Sequence, residues 1–320
     1  MPAPVPTPLP EFAVELIPPD LSPWRAGDAG VPGFVTRRGK SPGPHVALLA
    51  LMHGNEFAGA IVLDRLLRAG FVPTRGVLTM GFLNLAAFDR FDPRRPTASR
   101  FIDEDLNRVW DASVLDGPRN SRELARAREI RPLLATVDVL LDLHSMLWPA
   151  DPAILSGPSA KGLALARGIG TPSLVIADSG HANGRRLIDD QRFVDPATHA
   201  AAVLVEVGQH WHPDSVTSAE ATVAGLLRHL DMLPAHAPLC AGAPAPQRVA
   251  EVTAAITANT TQFAFVQPWR GGAVVKRRNT LIALDGTTEV RTPHDDCLLV
   301  MPSLRPSRGH TAVRLARFVG

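Results

Sequence analysis

The sequence predicts an α/β fold, a mixed sheet flanked by helices, followed by a smaller all-β domain at the C-terminus. Three observations carry that expectation. The apolar run Val46–Met52 is uninterrupted, as in a parallel strand buried on both faces, and it ends in His53-Gly54-Asn55-Glu56. A helical pattern and a second strand-like run follow it with short links, which is the βαβ signature. Beyond residue 246 the pattern changes to short strand-like segments separated by turns, without helical periodicity.

The elements follow in order. Residues 1–10 are proline-rich and read as a loose tail, with a strand expected at Phe12–Ile17 and another at Phe34–Thr36 before the loop RRGKSPGP. After the core strand, Gly59–Leu67 has apolar residues at helical spacing and stops near Gly70, and Gly76–Phe82 reads as the next strand. Asn84–Arg108 is polar, rich in arginine and broken by Pro93 and Pro96. Ser121–Leu134 is an amphipathic surface helix, with Ser121 placed to cap it. Val137–Leu143 repeats the design of the core strand, a buried run delivering a histidine, His144, at its carboxyl end. Short strands are expected at Ala153–Ser156 and Ser173–Ala177, with a helix at Lys161–Ile169 between them and a loop over Ser179–Asp195. His199–Val207 closes the series and carries one acid, Glu206, before a final helix beginning near Ser218. The expected division is a hydrolase-like domain over 1–233, a linker rich in proline and alanine over 234–246, and a β domain over 247–320 that walls the site from one side.

Composition narrows the function classes. Lys and Arg number 33 against 31 Asp and Glu, a balance that speaks against a nucleic-acid partner. Cys240 and Cys297 are too few for a disulfide scaffold or a thiolate metal cluster. No leader-like start and no run of apolar residues long enough to cross a membrane is visible, so the expectation is a cytoplasmic protein without a membrane partner. A homo-oligomer would be unsurprising at this size.

The chemistry gathers where strands end, the place at which open α/β sheets hold their ligands. His53 and Glu56 stand three residues apart and His144 follows on another strand; two histidines and one carboxylate are a common ligand set for catalytic zinc. Period 2 puts Asp142 on the face of His144, where its carboxylate can accept the N–H of a metal-bound imidazole. Glu206 reads either as a core-edge glutamate paired with an arginine or as a general base beside the metal. The cluster SRFIDEDLNR, residues 99–108, reads either as a solvated, salt-linked loop or as a lobe in which Arg100 and Arg108 meet an anion and Asn107 donates an amide hydrogen bond. His210 and His212 read as rim residues.

HGNE at 53–56, RFIDEDLNR at 100–108, DLH at 142–144 and VEVG at 205–208 together resemble the succinylglutamate desuccinylase and aspartoacylase family, relatives of the zinc carboxypeptidases. The resemblance implies a zinc-carboxypeptidase-like sheet, one Zn2+ per chain on His53, Glu56 and His144, and Glu206 as general base. It further implies that Arg100 stabilises the oxyanion and that Asn107 and Arg108 bind the α-carboxylate of a small N-acyl amino acid, with Asp105 supporting the arginine or the ligands. The family takes a second arginine for the distal carboxylate of the acyl group from the region holding Arg185, Arg186 and Arg192. It also uses a tyrosine from the C-terminal domain, and this sequence has none. The resulting expectation is a zinc-dependent deacylase with a small neutral acyl pocket; a small-molecule binding protein on a hydrolase scaffold and a small-peptide carboxypeptidase are the alternatives.

Overall fold

The computed structural model describes residues 12–180, 183–239 and 246–319. The proline-rich start, His181, Cys240 and residues 241–245 of the expected linker lie outside the described residues. The chain forms two units. The larger comprises Val14–Ser145 and Pro152–Gln247; the smaller comprises Met146–Asp151 and Arg248–Gly320, with the N-terminal segment through Ala13.

In the larger unit the strands are β1 (Phe34–Arg38), β2 (Ser41–Ala50), β3 (Arg75–Phe82), β4 (Val139–Met146), β5 (Ala153–Leu155), β6 (Leu174–Ala177) and β7 (Ala201–Gln209). Their order across the sheet is β1-β3-β2-β4-β7-β5-β6. β2 runs parallel to β3 and to β4, and β5 parallel to β6, whereas β1–β3 and β5–β7 are antiparallel, so the sheet is mixed. The helices are α1 (Ala58–Arg68), α2 (Leu85–Phe88), α3 (Ala112–Leu115), α4 (Arg122–Leu134), α5 (Ala160–Ile169), α6 (Gln191–Val194) and α7 (Pro213–His229).

Register explains how distant residues meet. Val46 faces Val139 and Ala50 faces Leu143 across the β2–β4 ladder, so the chain leaving β2 toward His53 emerges beside His144. β7 lies next to β4, and Glu206, opposite Ala153 of β5, is near its carboxyl end. Val46–Ala50 are wholly buried, and each fully buried Val or Leu contributes about 1.5–3 kcal/mol. Helix α1 approaches the sheet closely because Gly59 has no side chain: a Cβ there would lie 2.6 Å from Leu143 Cβ.

Several boundaries differ from those expected. Phe12–Ile17 is not a strand. β2 begins at Ser41, inside the stretch expected to be loop, because Ser41 still pairs with Arg75 across an irregular register. α4 continues through Pro132, which sits in its last turn. α7 begins at Pro213, a good first helical residue, and His212 caps it by accepting the Asp214 N–H through Nδ1 at 3.2 Å.

The smaller unit contains β8 (Arg248–Thr257), β9 (Phe263–Phe265), β10 (Val274–Val275), β11 (Leu281–Asp285), β12 (Thr288–Arg291), β13 (Cys297–Val300) and β14 (Thr311–Val319). They are arranged as β8-β14-β13-β10 and as a three-stranded β12-β11-β9 sheet. Val275, Ile282, Cys297, Leu299, Val313 and Leu315 form its core. Met146–Asp151 joins this unit through backbone hydrogen bonds between Asp151 N–H and Gly271 O and between Gly271 N–H and Pro149 O, at 3.0 and 3.1 Å.

The link from β2 to α1 is tightly packed. Leu51 has a positive φ of 62°, a conformation that a side-chain-bearing residue rarely adopts. A Cβ on Gly54 would come within 2.4 Å of Ala87 C and Phe88 N and 2.5 Å of Ser99 O, all backbone atoms. Gly54→Ala is expected to destabilise the fold by about 1–3 kcal/mol, the usual cost of overpacking, read as a lower urea midpoint at unchanged slope.

Candidate metal centre and active site

His53, Glu56 and His144 converge at the carboxyl ends of β2 and β4, all buried, with their candidate ligand atoms within 4.8 Å of one another. Glu56 lies between the imidazoles: Oε1 is 2.8 Å from His53 Nδ1 and Oε2 is 3.1 Å from His144 Nδ1. The far nitrogens are held from outside. His53 Nε2 is 2.9 Å from Asp105 Oδ1, and His144 Nε2 is 2.9 Å from Asp142 Oδ2. Each outer carboxylate can accept an N–H at Nε2, so that in the metal-binding form Nδ1 would be the lone-pair nitrogen of both rings, on the Glu56 side.

The donor set fits a metal. Apart from its approach to Glu56 Oε1, His53 Nδ1 is buried without a hydrogen-bond partner among the described residues, an arrangement that is costly for a polar atom unless something else satisfies it. Two imidazoles and one carboxylate can coordinate a single divalent ion per chain and match the chemistry of Zn2+. Burial disfavours charge on Glu56, yet His53 and His144 hold its carboxyl well below the usual carboxylate range. Burial likewise opposes a proton on His144, and Asp142 and Glu56 override it, raising the imidazole well above its ordinary value. The anionic surroundings that favour a proton there equally favour a cation, which has to displace it.

Arg100 and Asp105 come from the loop expected to be either solvated or functional, and the loop turns out to be divided. Arg100 donates to Glu56 Oε1 at 2.8 Å and approaches Asp105 Oδ2 at 3.4 Å. Asp105 is opposed by burial but held far below the usual carboxylate range by His53, Arg100 and Arg108. Glu104 instead pairs with Arg119 at 2.5 Å, and Asp103 accepts the Arg122 N–H at 2.8 Å, so these two acids serve the scaffold.

Glu206 is not the arginine-paired core glutamate of the first alternative. Its Oε2 is buried without a hydrogen-bond partner among the described residues, and burial pushes its carboxyl up to about 8, against the pull of His144 and Arg100. Such a group readily holds a proton, and a nearby cation lowers its affinity for one.

The other arginines separate sharply. Arg108 donates to the Asn107 carbonyl at 2.7 Å and has no carboxylate within ion-pair distance among the described residues. Burial lowers its pKa, with Arg100 and Arg186 adding to the effect. Asn107 is oriented by the Leu187 N–H, which donates to its Oδ1 at 2.9 Å and leaves Nδ2 as its donor end. Arg185 lies 3.4 Å from Asp111 and lines a cavity of about 390 Å3 with Asp111, Ser179, Asp189 and Gln191.

Arg186 and Arg192 do not meet the expectation of substrate contacts. Arg186 is 1% exposed and is consumed by Asp178 and Asp189, with four donor contacts of 2.7–3.0 Å. Arg192 donates to Val137 O at 2.9 and 3.1 Å, before the start of β4 and hence at the other end of the strand from His144.

His210, expected at the rim, is buried: Ser145 Oγ lies 2.8 Å from its Nδ1, and burial pushes its pKa down to about 4, so it is neutral. Extending the period of β7 from Glu206 through Gly208 to residue 210 would have revealed its face. Asp142→Asn is expected to reduce zinc affinity about 10–100-fold while the protein stays folded, measured by competition with a chromogenic chelator.

Comparison with known proteins agrees with this geometry. The model of the succinylglutamate desuccinylase/aspartoacylase catalytic domain matches residues 42–230, more than half of the chain. Aspartoacylase of Xenopus tropicalis is 32% identical over 123 residues, which cover 35% of this chain and 37% of that protein. Among solved structures, succinylglutamate desuccinylase of Vibrio parahaemolyticus has a TM-score of 0.67 at 16% identity, covering 91% of this chain and 89% of its own. An aspartoacylase family protein of Mesorhizobium loti has 0.61 at 19% identity, with 92% and 97% covered. The ectoine utilization protein EutE (DoeB) of Ruegeria pomeroyi has 0.62 at 17%, with 88% and 87% covered. At these identities the structures show a shared fold, and the matched catalytic-domain model shows the lineage: the chain belongs to the succinylglutamate desuccinylase/aspartoacylase family.

Proposed function

We propose that the protein is a zinc-dependent amidohydrolase that removes the acyl group from a small N-acyl amino acid. The observation that carries this reading is the buried His53–Glu56–His144 cluster, together with Glu206, whose Oε2 has no hydrogen-bond partner among the described residues and whose carboxyl feels the charge of His144 and Glu56. When bound, zinc supplies Lewis acidity, polarising the scissile carbonyl and acidifying water. Glu206 takes a proton from the attacking water as its oxygen bonds to the acyl carbon. It then delivers that proton to the departing nitrogen as the C–N bond breaks, giving a carboxylic acid and a free amine. Arg100 donates to the oxygen on which negative charge develops, and its hydrogen bond to Glu56 keeps the guanidinium in place.

Arg108 and Asn107 hold the substrate's α-carboxylate. An arginine withdrawn from water without a carboxylate partner is suited to an anion from outside, and the Asn107 amide adds a neutral donor. For a second, distal carboxylate the supply is poor. Arg186 is fully committed to two aspartates, Arg192 serves Val137, and Arg185 already faces Asp111 with Asp189 in the same cavity. A neutral acyl group such as acetyl therefore fits this reading better than a succinyl group. The hydrolase reading is favoured over the binding-protein alternative by the joint presence of the ligand cluster and a buried acid, Glu206, that feels the charge of His144 and Glu56.

A matrix of N-acetyl, N-formyl and N-succinyl amino acids assayed with zinc tests the proposal. Turnover strongest for small neutral acyl groups is expected; no hydrolysis of any member by the zinc-loaded protein would overturn it. Glu206→Gln is expected to retain zinc and lower kcat by at least about 10²-fold. Arg108→Lys is expected to raise KM with a smaller effect on kcat, because an ammonium cannot reproduce the guanidinium fork.

A further inference from the structure

Glu123 has no part in the chemistry above, yet it is among the most enclosed charged groups, 1% exposed in the first turn of α4. The sequence presents it as an ordinary first-turn acid of a surface helix. Its carboxylate faces away from the helix and accepts four hydrogen bonds. Oε1 takes the Ile102 N–H at 2.7 Å and Asn84 Nδ2 at 3.1 Å; Oε2 takes the Asp103 N–H at 3.0 Å and the Glu104 N–H at 3.3 Å. Three successive backbone N–H groups converging on one carboxylate form an anion-binding nest, here filled by the protein itself. Asp103 returns the contact by accepting the Arg122 N–H at 2.8 Å, so loop and helix are clasped from both sides.

The clasped peptides lie between two residues of the site. Arg100, two residues upstream, donates to Glu56, and Asp105, immediately downstream, holds His53 Nε2. The other partner of Glu123, Asn84, belongs to the wall behind the metal ligands. Its N–H donates to Leu51 O at 2.8 Å, at the positive-φ residue just before His53, and its Oδ1 caps α2 at Ala87 N, where Gly54 is tightly apposed. Gly54 N–H in turn donates to Arg100 O at 3.1 Å. One buried carboxylate thus ties the loop that carries Arg100 and Asp105 to the loop that carries His53.

We propose that Glu123 is a positioning residue for the metal centre: by clamping the 102–104 peptides it sets Asp105 against His53 and so tunes metal affinity from a helix that contributes no ligand. The proposal rests on the metal centre of the reading above and not on its substrate. A carboxylate is required because all four groups facing it are donors, and an amide in its place turns its own N–H2 toward one pair of them.

The test measures zinc affinity by chelator competition and amide hydrogen exchange of residues 102–104 in Glu123→Gln, Asp105→Asn and the double variant, with Glu129→Gln on the exposed side of α4 as control. The expected result for Glu123→Gln is faster exchange at these amides and zinc affinity lower by about 10-fold, with the control unchanged. In the double variant the loss should stay within about twofold of Asp105→Asn alone, since both changes remove the same support. Wild-type zinc affinity in Glu123→Gln, even with a lower Tm, would overturn the proposal, as would fully additive losses. Should Glu123→Gln fail to fold, Asn84→Ala carries the same measurement, with a smaller loss expected and unchanged affinity and exchange again contradicting it. None of these readouts uses a substrate, so a wrong assignment of the reaction leaves them unaffected.

Discussion

The site depends on one buried carboxylate, Glu56. Oε1 faces His53 and receives Arg100, while Oε2 faces His144 and receives the Ser145 N–H at 3.1 Å. A carboxylate taken out of water is expensive unless its lone pairs are met by donors or cations, and the groups that touch these two oxygens are an arginine, a backbone N–H and two imidazoles. The same group draws together three separate parts of the chain: the end of β2, the end of β4 and the loop at residue 100. Loss of any of these contacts leaves buried charge uncompensated.

That packing has a consistent logic. The strands bring the ligand residues to one side of the sheet, but strand register is accurate only to a backbone position. Orientation of each ring is supplied by a second carboxylate, Asp105 or Asp142, accepting at Nε2. The loop bearing Asp105 has no strand to hold it, and the helix-borne carboxylate of Glu123 takes that role. Rigidity at the centre thus passes outward from ligand to supporting acid to scaffold, each step made by charge-assisted hydrogen bonds in a water-poor setting.

What was legible in the sequence was whatever local pattern dictates. The two apolar runs ending in histidine, the period that sets Asp142 on the face of His144, and the Ser121 cap of α4 all depend on neighbours in the chain, and the structure has each of them. The start of β2 at Ser41 was hidden because a Ser-Pro-Gly-Pro stretch has turn chemistry, and only its partnership with β3 extends it. Arg186 looked like the other loop arginines until Asp178, eight residues away, enclosed it. The engagement of Arg192 was hidden for a related reason, since its acceptor is a backbone carbonyl that no side-chain pattern announces. Glu123 and His210 were missed because burial of a polar group is a property of tertiary packing, and their partners lie 19–39 and 65 residues away.

Everything proposed for this site requires that His53, Glu56 and His144 hold a single zinc ion through two imidazole nitrogens and one carboxylate. X-ray absorption spectroscopy of the zinc-loaded protein addresses it most directly. The expected spectrum has one zinc per chain with two nitrogen ligands at about 2.0–2.1 Å and carboxylate oxygen at about 2.0–2.2 Å, with no sulfur in the coordination shell. A shell made only of oxygen, sulfur ligation at about 2.3 Å, or a protein that takes up no zinc would contradict it.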